Sequence, residues 1–191
     1  MTTKKTARSK QQKSSPKKDL PIIDIHRLLS LIPMFPHHNI GIFPTGDGTS
    51  LTIPLAKNVY YGSVDAIDYH QKMLDQTKKT LMKNKLTNVE LHITKDDKLP
   101  LKNSSLDGMI LPFPKQEIAN IQTTLKEVSK CLKNLGWVVA IEWHKTQTPI
   151  GPPQTKRIAG STLRTYFEKV GFRFVSYRSF DENYYILLMR K

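Results

Sequence analysis

Asn39-Ile40-Gly41-Ile42-Phe43-Pro44-Thr45-Gly46-Asp47-Gly48-Thr49-Ser50 decides the fold. Its first five residues are a brief apolar run, as a strand is, and the next seven are dense in turn formers. The chain therefore leaves the strand through a loop before a helix begins near Leu51. Gly46 and Gly48 flank Asp47, and side chains at those two positions would block a ligand that approaches the backbone. Twenty residues beyond Gly48, Gly62-Ser63-Val64-Asp65-Ala66-Ile67-Asp68 reads as a second strand that ends in an acid. A carboxylate at that place accepts both hydroxyls of a ribose. In an open parallel sheet, the loop after the first strand lies beside the point where strand order reverses.

Outward from these two strands the same alternation continues. Tyr69 to Lys83 reads as a helix. Asn88 to Thr94 alternates apolar and polar residues, as a third strand near a sheet edge does. Leu106 to Phe113 is apolar on both faces after its first residues, which predicts a central fourth strand closed by Pro114. Ile118, Ile121, Leu125, Val128 and Leu132 recur at spacings of three and four, so they predict a helix, ended by Asn134-Leu135-Gly136. Cys131, on the flank of that stripe, reads as a small buried hydrophobe. Trp137 to Trp143 is a fifth strand. Ser161 is the expected N-cap of a helix through Val170, with Leu163, Phe167 and Val170 inward and Gly171 at its end. Arg173 to Phe180 and Tyr184 to Met189 are joined by three residues, too few for a crossover, and must form an antiparallel hairpin. Upstream, Asp24 to Ile32 has helical spacing and stops before Pro33. Together these predict an α/β domain over residues 20–191, doubly wound, with a seven-stranded, mostly parallel sheet and a C-terminal antiparallel hairpin.

The 191 residues, 38% of them hydrophobic, fit one domain with a tail. No apolar run approaches the ~20 residues needed to cross a bilayer, and the basic start leads into no apolar signal segment, so a cytoplasmic location is expected. One cysteine supplies neither an intramolecular disulfide nor a cysteine-rich zinc site. Lys+Arg total 30 against 16 Asp+Glu, a net charge of +14, and the excess is uneven. Lys4, Lys5, Arg8, Lys10, Lys13, Lys17 and Lys18 precede the first acid. Residues 1–19 are therefore expected to be a disordered basic tail, and Lys4 to Lys18 are its candidate contacts to nucleic acid.

From about Leu20 to Lys191 the chain resembles class I S-adenosylmethionine-dependent methyltransferases, in particular the small-molecule group that includes ubiquinone/menaquinone-biosynthesis-like enzymes. The resemblance rests on Gly46-Asp47-Gly48-Thr49, on Val64 to Asp68 followed by Lys72-Met73-Leu74, and on Lys98-Leu99-Pro100-Leu101 with Ser105-Leu106-Asp107. It continues through Lys126-Glu127-Val128, Cys131-Leu132-Lys133, Gly151-Pro152-Pro153, Arg157-Ile158 and Gly171-Phe172. The C-terminal hairpin, and Leu51 where dinucleotide-binding domains usually carry a third glycine, separate it from those domains.

That resemblance implies a Rossmann-like methyltransferase fold, S-adenosylmethionine as methyl donor and a small-molecule acceptor. By it, Gly46 and Gly48 would line the methionine part of the cofactor and Asp68 would hold its ribose. Asp96, with Asp97 as the other candidate, would face the adenine amino group, and Met73 would cover the adenine. Leu111 and Pro112 would lie under the sulfonium methyl. His144, at the carboxyl end of the fifth strand, is the candidate general base. The chain departs from the family pattern at Pro44, where members usually carry an acid for the cofactor's ammonium, and at Ser50, where they usually carry glycine. Asp47 is the carboxylate that would serve from a shifted position. Pro44 keeps open a non-catalytic binding module, and the basic tail keeps open an RNA methyltransferase.

Overall fold

The computed structural model describes residues 23–96, 98–114, 118–148 and 150–191. The tail, Asp97 and its proposed adenine contact lie outside them. Asp24 accepts a hydrogen bond from the Arg27 N–H at 3.1 Å and so starts α1, Ile25–Leu31. There follow β1 (Asn39–Ile42), α2 (Thr52–Asn58), β2 (Ser63–Asp68), α3 (Gln71–Lys83), β3 (Val89–Ile93) and β4 (Leu106–Pro112). The chain continues through α4 (Ile121–Cys131), β5 (Leu132–Trp143), a single 3-10 turn (Gln154–Lys156), α5 (Gly160–Glu168), β6 (Arg173–Ser179) and β7 (Tyr184–Arg190).

The seven strands form one sheet in the order β3-β2-β1-β4-β5-β7-β6. The first five are parallel, and β7 runs antiparallel to both β5 and β6. The fold is thus the doubly wound, mostly parallel sheet that the alternation of strands and helices predicts, with β3 at an edge and β4 in the middle. Helices cover both faces because the strands are apolar on both: in β5, Val138 and Ala140 point to one core and Val139 and Ile141 to the other. Leu28 of α1 and Leu55 and Ala56 of α2 close one face. Leu125 and Val128 of α4, with Leu163 and Phe167 of α5, close the other.

Two helix boundaries differ from the sequence expectation. The helix expected to run to Asn134-Leu135-Gly136 ends at Cys131, because Leu132, fully buried, turns extended and pairs with Leu106 of β4. All five stripe residues, Ile118 to Leu132, are nonetheless buried; the period marked the core, while strand pairing set the end. Ser161 is not an N-cap. The cap position is Ala159, with no side-chain bond, so Ser161 lies inside the first turn of α5. Cys131 is buried as expected, and burial raises its thiol pKa to about 11, leaving it a core hydrophobe. Among the described residues no helix is long and apolar enough to cross a membrane.

Candidate functional site

From β1 the chain winds outward through β2 to β3, then returns to β4 on the other side of β1. The segments after β1 and β4 therefore diverge and leave a crevice at the carboxyl ends of the strands. A cavity of about 590 Å³ occupies it, a size suited to a small molecule. The segment after β1 contributes Pro44, Thr45, Gly46 and Asp47; the end of β2 contributes Asp68 and His70; α3 contributes Met73 and Gln76. On the other side lie Pro112 at the end of β4, Phe113 just after it and Tyr184 from β7, with Ile23 packed in from the start of the described chain.

Asp68 organises the near side. One carboxylate oxygen accepts the Gly46 N–H at 3.0 Å and the other accepts the His70 N–H at 2.9 Å, so the acid ties the glycine loop to the start of α3. A carboxylate offers about four lone-pair sites, and the two left over are what a vicinal diol would take. Thr45 and Thr52 share a buried hydroxyl pair at 2.7 Å, and Thr77 donates to the Gly46 carbonyl at 3.2 Å. The loop is thus held from both sides. Its two glycines have different tasks. Gly46, at φ +61°, faces open space, with no protein atom within 4 Å of where a Cβ would stand. Gly48, at φ +76°, presses against α3, where a Cβ would come within 2.7 Å of Thr77.

The other residues singled out by sequence divide. Asp47 lines the cavity, while its Oδ1 accepts from the Thr49 N–H and hydroxyl at 3.0 and 2.8 Å. Met73 and Pro112 line it too, and Met73 belongs to neither core cluster. Gly48, Asp96 and Leu111 do not line it. Leu111 is fully buried in the core beneath, and exposed Asp96 caps the Lys98 N–H at 3.0 Å. His144 lies away from the cavity lining, with Nε2 3.1 Å from the Ser179 hydroxyl and its ring beside Tyr185.

Sequence reasoning missed Phe113 and Tyr184. Phe113 follows β4 at φ +51°, a left-handed conformation that costs a bulky residue energy and that its apolar run does not signal. Its ring lies 5.2 Å from that of Tyr184, which in turn lies 4.6 Å from that of Trp143. Tyr184 comes to the cavity only because β7 inserts between β5 and β6. Among the described residues the lining contains two acids, Asp47 and Asp68, and neither lysine nor arginine, although the chain carries a net charge of +14. This crevice is a local exception to a basic protein.

A profile of the ubiE/COQ5 methyltransferase family matches residues 41–153, from β1 past the end of β5. The chain is similar to the ubiquinone/menaquinone biosynthesis C-methyltransferase UbiE of Rickettsia massiliae, 27% identical over 137 residues, 68% of this chain and 55% of that protein. The counterpart in Rickettsia prowazekii is 27% identical over 140 residues, 69% of this chain and 56% of that protein. The chain thus spans about half the length of the curated relatives it matches. In fold it is similar to a SAM-dependent methyltransferase from Aquifex aeolicus, with a TM-score of 0.83 at 22% identity over 88% of this chain and 90% of that one. The [4+2]-cyclase SpnF gives a TM-score of 0.74 at 14% identity, over 86% of this chain and 80% of that one. The family profile takes in more than half of the sequence, the glycine loop and Asp68 included, and the chain belongs to the ubiE/COQ5 methyltransferase family.

Proposed function

We propose that the crevice binds S-adenosylmethionine and that the protein transfers its methyl group to a small-molecule acceptor. The observation that carries this is the charge of the lining: among the described residues it holds two acids and no lysine or arginine, in a chain of +14, which suits a ligand that bears a sulfonium and an ammonium. Among the described residues a phosphate-bearing nucleotide would meet no lysine or arginine there. The residues fit the donor: Gly46 opens onto the space its methionine part would fill, and Asp68 keeps two acceptor sites for its ribose. When bound, that donor supplies a methyl group already activated on a positively charged sulfur.

The protein's own part is alignment. The loop from Pro44 to Asp47, fixed by Asp68, Thr52 and Thr77, sets one half of the cavity, while Pro112, Phe113 and Tyr184 offer an uncharged, largely aromatic wall opposite. Holding the two reactants about 3 Å apart and in line removes much of the entropic barrier. The relatives are named as C-methyltransferases of quinone biosynthesis, and a planar ring against Phe113 suits this wall. His144 as general base would have to act from outside the lining. Asp96 would reach an adenine only if the segment after β3 turns inward around the ligand.

Calorimetric titration with S-adenosylmethionine and S-adenosylhomocysteine tests the reading, with ATP as the phosphate-bearing control. Asp68→Ala should weaken binding of both by at least about tenfold, since hydrogen bonds to a charged group contribute roughly 1.5–3 kcal/mol each. Equal binding by a folded variant, or preference for ATP, would refute it. Pro44, buried on the lining without charge or N–H where the family usually carries an acid, favours a second reading in which affinity for the donor is reduced or lost and no transfer follows. Failure of both the wild type and Pro44→Asp to bind either ligand at millimolar concentration would establish that one.

A further inference from the structure

At the β3 edge of the sheet, two carboxylates and an imidazole come together. Asp65 of β2 stands beside Glu90 of β3 in the parallel register, and His92 follows Glu90 by two residues, so all three side chains leave the same face. Nε2 of His92 lies 2.7 Å from Oδ1 of Asp65 and 3.9 Å from Oε2 of Glu90. Among the described residues this is the group of three histidine, cysteine or acid side chains whose ligand atoms all lie within 4.8 Å of one another. The face is open above them. The described residues between β3 and β4 form no helix, whereas the other parallel connections carry α2, α3 and α4. Like charges side by side across a ladder repel, and among the described residues neither carboxylate pairs with a lysine or arginine. His92 can carry at most one positive charge against two negative ones.

We propose that Asp65, Glu90 and His92 form a binding site for a divalent transition-metal ion of the Zn²⁺ class, with water completing its shell. One imidazole nitrogen and two carboxylate oxygens suit Zn²⁺, whereas Mg²⁺ and Ca²⁺ take all-oxygen shells. Around a tetrahedral zinc, with bonds of roughly 2.0–2.2 Å, ligand atoms stand roughly 3.3 Å apart. The closer pair must therefore open slightly and the wider pair close slightly. Glu90, its side chain 78% exposed, can make that movement by changing rotamer. The ion would neutralise the two facing carboxylates and clip the edge strand β3 to β2. Without it, Asp65 and His92 remain a hydrogen-bonded pair. Asp65 and Asp68 are three residues apart on β2, so their side chains leave opposite faces of the sheet. The metal site is thus separate from the crevice and does not depend on what the crevice binds.

Calorimetric titration of zinc chloride into the untagged, chelator-treated full-length protein, with magnesium chloride in large excess, tests the site. The wild type should bind one Zn²⁺ per chain, and Glu90→Gln and His92→Gln should each weaken that binding by roughly tenfold or more. Glu90→Gln changes an exposed side chain and so keeps the test open should His92→Gln fold poorly. In ¹⁵N spectra of the imidazoles, the ion should bind Nε2 of His92 and leave the proton on Nδ1. Zinc should also raise the melting temperature of the wild type and not that of Glu90→Gln. Zinc binding that survives either substitution, or that shifts the rings of His37 and His38 in place of His92, marks an adventitious ion only and overturns the proposal. A wild type that binds no zinc at submillimolar concentration overturns it too.

Discussion

Gly46 and Gly48 sit two residues apart in one loop, both with positive φ, and the structure gives them opposite surroundings. Gly46→Ala should cost only the left-handed backbone term of about 1–2 kcal/mol in stability while its methyl group intrudes on the cavity and weakens S-adenosylhomocysteine binding. Gly48→Ala adds the collision with Thr77, and its loss of stability should be the larger of the two, about 2–4 kcal/mol. Urea unfolding and calorimetry on the same preparations resolve the pair; equal stability losses would show that the loop gives way at Thr77. Asp68→Asn has its own signature. One acceptor oxygen becomes an NH₂ that faces a backbone N–H from Gly46 or His70, so about 2 kcal/mol of stability should go even without ligand. Pro44→Asp should raise affinity for the donor if the ammonium lacks a carboxylate; if Asp47 already serves, the added charge brings repulsion and no gain.

The segment between β5 and α5 has only one short helical turn, yet it is ordered around a single side chain. Arg157, almost wholly buried, donates to the carbonyls of Pro152, His144, Thr146 and Ile150 and to the Thr148 hydroxyl, at 2.8–3.1 Å, and its guanidinium lies 5.1 Å from the Trp143 ring. All five N–H donors of the guanidinium fork are employed, a task that a lysine's point charge cannot take over. Arg157→Lys should therefore destabilise by about 2–4 kcal/mol, and protease cleavage between β5 and α5 should rise well before global unfolding. Unchanged protection would mean that the segment is held by other contacts. Trp143, under the same guanidinium, is also the ring that braces Tyr184, so this segment supports the cavity wall from behind.

Among the described residues, the ion pair between His92 and Asp65 makes stability respond to pH near neutrality. His92 on the edge strand β3 lies 2.7 Å from Asp65 on β2. The hydrogen bond to Asp65 raises the imidazole's pKa above 6.5, although burial opposes it. Because the folded value is the higher one, the added stability is fully present below pH 6.5 and is lost as pH rises through the raised folded value. Chemical denaturation between pH 5.5 and 9 should show this decline in the wild type and a flatter profile in His92→Gln. Removal of residues 1–18 should leave the melting temperature and cofactor affinity unchanged, because that segment is rich in Ser, Thr, Gln and Lys and has almost no apolar residue to contribute to a core. A melting point several degrees lower would show that this segment contributes to the fold.

The sequence by itself determined the layers and the strand-and-loop frame beside the crevice. The alternation of apolar strands and helical stripes is local; burial and backbone geometry act on it within a few residues, and the structure sets the strands and helices in the expected order, with Asp68 at the end of β2. Tertiary structure decided the rest. Leu132 looked like the end of a helix and became the start of β5, because pairing with Leu106 outweighs helical propensity. The hairpin was legible, but not that β7 would lie inside it, next to β5, with β6 at the edge. That placement depends on contacts some forty residues apart, and through it Tyr184, whose sequence neighbourhood gives no sign of a site, comes to face the cavity that Asp68 begins.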